Sequence, residues 1–563
     1  MMRIIVVGAV AAGTSGAAKA RRNSEDAEII IYEKDTYISY SGCGMPYYLG
    51  GEVKDGEELT PRDPAFFKSK YNVEIRIGNE VLSIDKNNKT LEVRDLSTGD
   101  LFTDSYDKLI LATGARAVIP PIKGVQADHV FSLRNIKDMY KIRKYLDEKV
   151  PQKAVIVGTG FIGLELTENF KKIGIEVTLV EMLSQVTPGL DPDMAIYVEE
   201  HLLKNGVSVI TGASATEILE DRVILSDGRS IETDFVIIST GVRPNVDLAR
   251  AIGIELGDYG AIKVDTYMET SEKDIYACGD CIEQFHVVTG KPVYRPLGST
   301  ANKTGRIAGN NAAGGDLEFR GVLGTGIFRV FKLEVGQTGL TEKEALKEGY
   351  DISVSHNIKP NKPEYLGDRE MVIKSIADKQ DGRLMGVQIV GEDGVDKRID
   401  VFATLITFGA KVSDLVHMDL AYAPPFSTTK DPVMYTGMIQ DNAISNGRLL
   451  IGAEELDEII HSGTTYNLID TRTKKQFDEK HIETAVSIPH AAIRNELVHL
   501  DKEVETIAYC NKGTTGNAVQ NILLNKGFKK VYNISGGHKT FEKFLDLRRR
   551  NSPDKEPDGL LPG

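Results

Sequence analysis

The chain has 563 residues, too many for one hydrophobic core, and about three to five domains of ~100–200 residues are expected. Apolar and charged fractions are ordinary for globular protein, and a net charge of −14 argues against nucleic acid or an anionic membrane surface as partner. No stretch approaches the ~18 uninterrupted apolar residues of a spanning helix, and only four cysteines occur, too few for a disulfide framework.

The first elements in chain order read strand Arg3–Val7, glycine-rich turn Ala9–Gly13, helix Thr14–Arg22 and strand Ile29–Tyr32. The glycines that punctuate Arg3–Ala18 argue against a signal peptide, so a reducing, cytoplasmic location is expected. The same grammar returns over Lys153–Val180, an internal duplication of kind. Leu109–Ala115 and Val236–Val242 read as strands ending in glycine motifs, and Asp274–Asp280 leads toward a helix at Ser299–Ala313. From Gly326 strands alternate with helices near Glu342–Glu348 and Arg398–Phe408, and Pro424-Pro425 breaks the pattern. Asn446-Gly447 and the polar stretch after it read as a linker. A further α/β unit runs from near Ile451 to about Leu547, with the basic cluster Arg548–Arg550 as a solvated helix end.

Gly158-Thr159-Gly160-Phe161-Ile162-Gly163 is a full G-x-G-x-x-G between a strand and a helix. Such a turn brings backbone N–H groups against a pyrophosphate at a helix N-terminus. Glu181, ending the next strand, suits both ribose hydroxyls and repels a 2′-phosphate, so NADH is expected over NADPH. The first turn, Gly8 to Gly13, carries Val10 where the middle glycine belongs, with Glu33 placed for a second adenosine ribose. The second dinucleotide is expected to be FAD, its ribityl end bound near Asp280 in Ala277-Cys278-Gly279-Asp280.

Cys43 stands between glycines in Ser41-Gly42-Cys43-Gly44-Met45-Pro46, which gives the thiol access, and a helix starting near Pro46 is expected to lower its pKa. No second cysteine follows until Cys278, so Cys43 cannot close a local disulfide. Its oxidised partner is then a small thiol, a persulfide or an oxygen. Cys278-Gly279-Asp280-Cys281 is read as structural rather than as a redox or metal motif, and no metal site is expected.

Over Met1 to about Asn446 the chain resembles the single-cysteine branch of the pyridine nucleotide–disulfide oxidoreductases. The matching segments are the Gly8–Gly13 turn, SGCGMPYY, LILATGA, VGTGFIGLE, STGVRPN, IYACGD and DLAYAPPFSTTKDP. That branch contains coenzyme A-disulfide reductases, NADH-dependent persulfide reductases, and NADH oxidases and peroxidases. From Ile451 to about Leu547 the chain resembles a rhodanese domain, on NLIDTRTKKQFDEKHIETAVSIP with Asp470, Arg472 and His481, and on IAYCNKGTTG, where Cys510 would carry a persulfide. Thr515-Gly516 stands where many relatives have Arg, leaving Lys512 as the loop's own cation. The resemblance implies an α/β chain. Two Rossmann-like FAD/NAD(P)-binding domains (1–120 with 246–325, and 121–245) precede an α+β dimerisation domain (326–446). A rhodanese-like domain (451–547) and a flexible tail (548–563) follow.

The resemblance also implies site residues. Gly8, Ala12, Gly13, Glu33, Lys34, Ala112, Thr113, Gly114, Arg134, Gly158, Gly160, Gly163, Glu181, Gly241, Asp280 and Ala301 would hold FAD and NADH. Ser15, Lys19, Arg22, Ser39, Gly42, Lys70 or Tyr71, Asn302 and Lys430 would meet coenzyme A, with Gly42 where Asn is common. Tyr365 and Tyr422 would reach Cys43 of a partner subunit, so the site would need a homodimer. The activity implied is NADH-dependent reduction of coenzyme A disulfide, coenzyme A persulfide or polysulfide at Cys43, with the rhodanese part handling sulfane sulfur. The alternatives are an oxidase or peroxidase cycling Cys43 through sulfenic acid, and an NADH-gated redox sensor.

Overall fold

The computed structural model describes residues 1–497 and 500–550 and divides into two compact units: 1–183 with 207–324, and 184–206 with 325–563. In the first unit a five-stranded parallel sheet runs in the order Ile275–Ala277, Lys108–Leu111, Arg3–Val7, Glu28–Glu33, Glu74–Ile77. Its strands Arg3–Val7, Glu28–Glu33 and Lys108–Leu111 are apolar and buried along nearly their whole length, as strands covered on both faces must be. A second parallel sheet orders Ser208–Thr211, Glu176–Glu181, Lys153–Val157, Phe235–Ile238 and Val130–Phe131. Each is accompanied by a three-stranded antiparallel sheet, Asn79–Asp85 to Leu101–Ser105 and Ala215–Ile218 to Ser230–Glu232. The duplication expected from the two glycine turns is thus architectural.

The first helix begins at Ala11, three residues earlier than expected, so Gly13 lies inside it. That helix packs along Gly298–Ala312 through glycines. A Cβ on Gly305 or Gly309 would collide with the backbone carbonyls of Ala12 and Gly16. After Ile275–Ala277 comes a short 3-10 turn, Gly279–Cys281, and a hairpin before Gly298–Ala312, not a helix directly.

The second unit holds a five-stranded antiparallel sheet, Gly326–Val330, Leu333–Gly339, Leu384–Gly391, Glu370–Asp378, Ile352–Pro360. Helices Val395–Thr407 and Pro432–Ser445 lie against it. Its polar centre is Lys374, 1 % exposed, whose ammonium meets Asp193 (2.8 Å), Asp191 (3.2 Å) and Glu342 (2.6 Å). Asp191 and Asp193 belong to segment 184–206, so buried charge ties that segment to the sheet. The C-terminal part is a parallel sheet in the order Leu449–Ile451, Val531–Ile534, Glu505–Tyr509, Tyr466–Asp470, Val486–Ser487. The expected linker shrinks to residues 446–448, because strand pairing resumes at Leu449. The last helix, Gly537–Arg550, runs through the first three residues expected to be tail, and the rest of that tail, 551–563, lies outside the described residues. Among the described residues no helix is long and apolar enough to cross a membrane, and no cluster of side chains could hold a metal ion.

Candidate functional site

The first turn is tight because Gly8 takes φ +107° and lies against the Ala112 carbonyl, where no Cβ could fit. Gly13 faces the Gly8 carbonyl in the same way. Glu33, at the end of its strand, accepts from the backbone N–H groups of Ala9 and Asp35, both at 2.8 Å. Burial pushes its carboxyl above the ordinary range, and the two N–H donors oppose this. From here a cleft of about 670 Å³ opens, lined by Gly8, Ala12, Glu33, Lys34, Ala112, Thr113, Gly114, Arg134, Asp280 and Ala301. At one point on its wall the Arg134 Nη2 donates to Asp280 Oδ2 at 2.8 Å while Nε donates to the Ala115 carbonyl at 2.9 Å. A Gly-rich backbone turn, a buried carboxylate by that turn and a fixed ion pair fit a dinucleotide along the cleft.

The second turn repeats the arrangement. Gly158 (φ +103°) lies against the Ser239 carbonyl and Gly163 against the Gly158 carbonyl, while Gly160, preceding helix Phe161–Lys172, has open space where a Cβ would stand. Glu181 accepts from the Thr159 N–H (3.0 Å) and hydroxyl (2.7 Å) and from the Leu183 N–H (3.0 Å). These are the counterparts of Ala9 and Asp35 about Glu33. Gly241 (φ +100°) also faces open space.

Cys43 sits in a 3-10 turn, Gly42–Gly44, and is exposed and unpaired. A Cβ on Gly44 would press on the Leu59 side chain, whereas Gly42 has ordinary room and leaves the sulfur approachable. The expected depression of the thiol is overturned. Partial desolvation by the surrounding protein pushes Cys43 up, the Glu165 and Asp280 carboxylates add to this, and only Arg134 opposes. The helix that follows, Met45–Leu49, has five residues, too short a dipole to outweigh two carboxylates. Glu165 belongs to the helix after the second turn, and Asp280 and Arg134 to the first cleft, so the sulfur feels both dinucleotide sites. Cys278 and Cys281 are fully buried and free. The Cys281 thiol donates to the Cys278 carbonyl at 3.2 Å, and burial raises both thiols.

A second pocket, of about 280 Å³, is lined by Ser15, Arg22, Tyr71 and Asn302 among the expected residues, and by Arg62 and Arg306, which sequence reasoning missed. Ser15 donates to Asn302 Oδ1 at 2.6 Å, and the Arg22 guanidinium lies 5.4 Å over the Tyr71 ring. Arg306 had a signal, one helical turn after Asn302 on the same face. Arg62 had none, being brought in by a loop. Other expected residues stand elsewhere. Lys19 bonds Asn23 along its own helix, Ser39 holds a left-handed φ of +48° with its N–H on the Ala9 carbonyl, and Gly42 flanks Cys43. Lys70 lies over the Phe66 and Tyr71 rings rather than in this pocket.

In the second unit Tyr365, Tyr422 and Lys430 are exposed. The segment carrying Tyr422 and Lys430 is anchored by buried Asp431, which accepts from Arg398 Nη2 (2.9 Å) and from Ser427 (2.7 Å). Cys510 is buried at the end of strand Glu505–Tyr509, followed by a turn at Gly513 (φ +85°) and helix Thr514–Asn525. Arg472 pairs bidentately with buried Asp470 (3.0 and 2.7 Å) and reaches Asn511 Oδ1 of the Cys510 loop at 3.4 Å. His481 stacks on Phe477 at 3.9 Å, away from that loop's hydrogen bonds.

Two Rossmann-like sites with one accessible thiol between their charged groups define a dinucleotide-dependent redox protein acting through sulfur. The chain belongs to the pyridine nucleotide-disulphide oxidoreductase family, whose model matches residues 2–301, and it is an oxidoreductase of that kind. Its dimerisation-domain model matches residues 327–432, and a rhodanese-like domain model matches residues 452–543. The chain is 37 % identical to an NADH oxidase of Methanocaldococcus jannaschii over 77 % of its length and 97 % of the relative's. It is equally 37 % identical, with the same 77 % and 97 % coverage, to an NAD(P)H sulfur oxidoreductase (CoA-dependent) of Pyrococcus furiosus. Among solved structures, the reduced Bacillus anthracis CoADR-RHD superposes with a TM-score of 0.94 at 37 % identity, covering 97 % of this chain and 98 % of that one.

Proposed function

We propose that this protein binds FAD in the cleft of Gly8, Glu33 and Asp280, binds NADH at Gly158–Gly163 and Glu181, and reduces a coenzyme A-linked disulfide or persulfide, or polysulfide, at Cys43. The observation that carries this is a single exposed thiol within electrostatic reach of both dinucleotide sites, with the other two cysteines of that unit buried and free. The expected division into FAD-binding (1–120, 246–325), NAD-binding (121–245), dimerisation (326–446) and rhodanese-like (451–547) parts goes with it. The four free cysteines suit a reducing cytoplasm.

Gly8, Glu33 and Asp280 would hold the flavin dinucleotide, which would supply transfer of an electron pair from NADH to sulfur. The chain's own part is nucleophilic and positional. Cys43 attacks as thiolate, forms a bond to one sulfur of the substrate and expels the other as thiolate or sulfide. Arg134 supports the thiolate and is itself held by Asp280 and the Ala115 carbonyl. Glu181, with one oxygen already held by Thr159, favours ribose hydroxyls over a 2′-phosphate, hence NADH over NADPH. Arg22, Arg62 and Arg306 suit the phosphates of coenzyme A. Tyr365 (76 % exposed), Phe426 (70 %), Phe408 (79 %) and Tyr422 are exposed aromatic side chains of the dimerisation segment, which suits burial against a second copy of the chain.

Cys43→Ser is expected to abolish NADH-dependent turnover of coenzyme A disulfide and of persulfide while the flavin spectrum stays unchanged. Undiminished turnover in that variant would sink the mechanism. Similarity to a protein named an NADH oxidase supports a second reading, in which oxygen or peroxide takes the place of the substrate sulfur. Steady NADH consumption with oxygen alone, unaffected by coenzyme A disulfide, separates the two.

A further inference from the structure

The Cys510 loop is partly covered by a neighbouring sheet. Its two edges, residues 510–514 and 535–539, rest on strands Ile352–Pro360 and Glu370–Asp378 of the antiparallel sheet. The His356 N–H donates to Ser535 Oγ at 2.7 Å, and Glu370 accepts from Lys539 at 2.6 Å and from Lys512. A Cβ on Gly536, at φ +70°, would strike Thr540 Oγ1 and come within 3.0 Å of the His356 Cβ. The contact partly offsets the loop's own cation, since Lys512 shares the Glu370 carboxylate with Lys539. It also brings in another. The Lys359 ammonium donates to Thr514 Oγ1, the first residue of the helix after the loop, at 2.9 Å and lies 4.3 Å over the Tyr435 ring. Among the described residues no carboxylate pairs with it.

We propose that Lys359, carried by the sheet of the dimerisation segment, is the cation of the Cys510 site: it faces the terminal sulfur of a Cys510 persulfide, so the sulfur-loading centre is built by two domains and favours anionic reagents. This rests on Cys510 as a sulfane-sulfur carrier. In loading, the Cys510 thiolate attacks the outer sulfur of a persulfide R–S–SH. The Cys510–S bond forms, the donor's S–S bond breaks, and R–S⁻ leaves with the electron pair, with no net oxidation. The Cys510 persulfide then loses its proton to solvent, and the anion is stabilised by the Lys359 ammonium and the N–H groups at the helix start. The charge environment agrees. Burial pulls Lys359 below the ordinary lysine range, the Cys510 thiolate pushes it back up, and Lys512 adds to the lowering. The Tyr435 ring holds the ammonium without neutralising it, as an ion pair would.

The test uses the full-length flavoprotein and two alkylating probes of similar size, iodoacetate (anionic) and iodoacetamide (neutral), with labelling of Cys510 followed by peptide mass spectrometry. The ratio of the two rates reads local charge and cancels changes in access. Lys359→Met is expected to lower the iodoacetate-to-iodoacetamide ratio at Cys510 by at least about threefold, Lys359→Arg to restore it, and Lys512→Met to move it by less than about twofold. An unchanged ratio in Lys359→Met, a larger fall in Lys512→Met, failure of the arginine variant to restore the ratio, or absence of labelling by either probe would overturn the assignment. NADH turnover on coenzyme A disulfide, measured in parallel, is expected to be unchanged in all three variants, so failure of the Cys43 reading is seen separately.

Discussion

At the scale of single residues, the site is governed by which charges face a sulfur. Cys43 reacts as thiolate, and burial together with Glu165 and Asp280 holds its proton on more tightly than an ordinary thiol's. The rate of Cys43 alkylation by iodoacetamide should therefore rise with pH and level off above the usual thiol range. In Glu165→Gln the inflection should move to lower pH, because one of two like charges is removed; a curve that stays in place would show that Glu165 does not act on the sulfur. The arginines that sequence reasoning missed have a different signature. Arg62 and Arg306 line the smaller pocket and touch no reacting atom, so Arg306→Ala should raise KM for coenzyme A disulfide about tenfold, the cost of one charge-assisted contact at ~1.5 kcal/mol, with kcat little changed. An equal loss in kcat would mean that Arg306 acts on the reaction itself.

Among the elements, those whose local pattern dictates them were readable and those created by packing were not. Arg3–Val7 and the Gly158–Gly163 turn appear where the run of β-branched residues and the glycine spacing put them. The first helix starts earlier than its composition suggested, because Gly13 is needed against the Gly8 carbonyl, a contact within the folded chain that marks no boundary along it. Lys359 was invisible for the same reason: nothing in a strand reading IKP announces that a loop some 150 residues later will rest on it. The crossing of helices Ala11–Asn23 and Gly298–Ala312 turns on such a contact too. These helices carry Ala12 and Ala301 into the large cleft and Ser15, Arg22, Asn302 and Arg306 into the small pocket. Gly309→Val should part them, since its side chain would enter the Gly16 backbone, which cannot give way as a flexible side chain does. We expect a stability loss of ~1–3 kcal/mol in thermal melts and weaker retention of both FAD and coenzyme A. Loss of stability with full retention of both ligands would mean that the crossing does not shape either pocket.

For the molecule as a whole, the second unit depends on a buried charge cluster that joins its parts. Lys374 meets Asp191, Asp193 and Glu342, and Asp193 also accepts from His356 Nε2 at 2.7 Å, whose other nitrogen lies 3.1 Å from Ser535 of the C-terminal sheet. Burial alone would raise the Asp193 carboxyl, but Lys374 and His356 outweigh it and hold it far below the ordinary range. A carboxyl depressed in the folded state contributes stability that is fully present above its unfolded pKa of ~3.9 and is lost as pH falls through that value toward the folded one. Resistance of the second unit to urea should accordingly fall as pH drops from about 5 to 3. In Lys374→Met Asp191 is left buried without its cation while Asp193 keeps only His356, which costs about 3–5 kcal/mol near neutrality. The same substitution removes the main cause of the depression, so the acid-dependent part of the loss should become smaller in the variant than in the parent protein. A variant as stable as the parent at pH 7, or one with an unchanged acid slope, would show that the cluster is held together by the packing around it and not by the Lys374 charge.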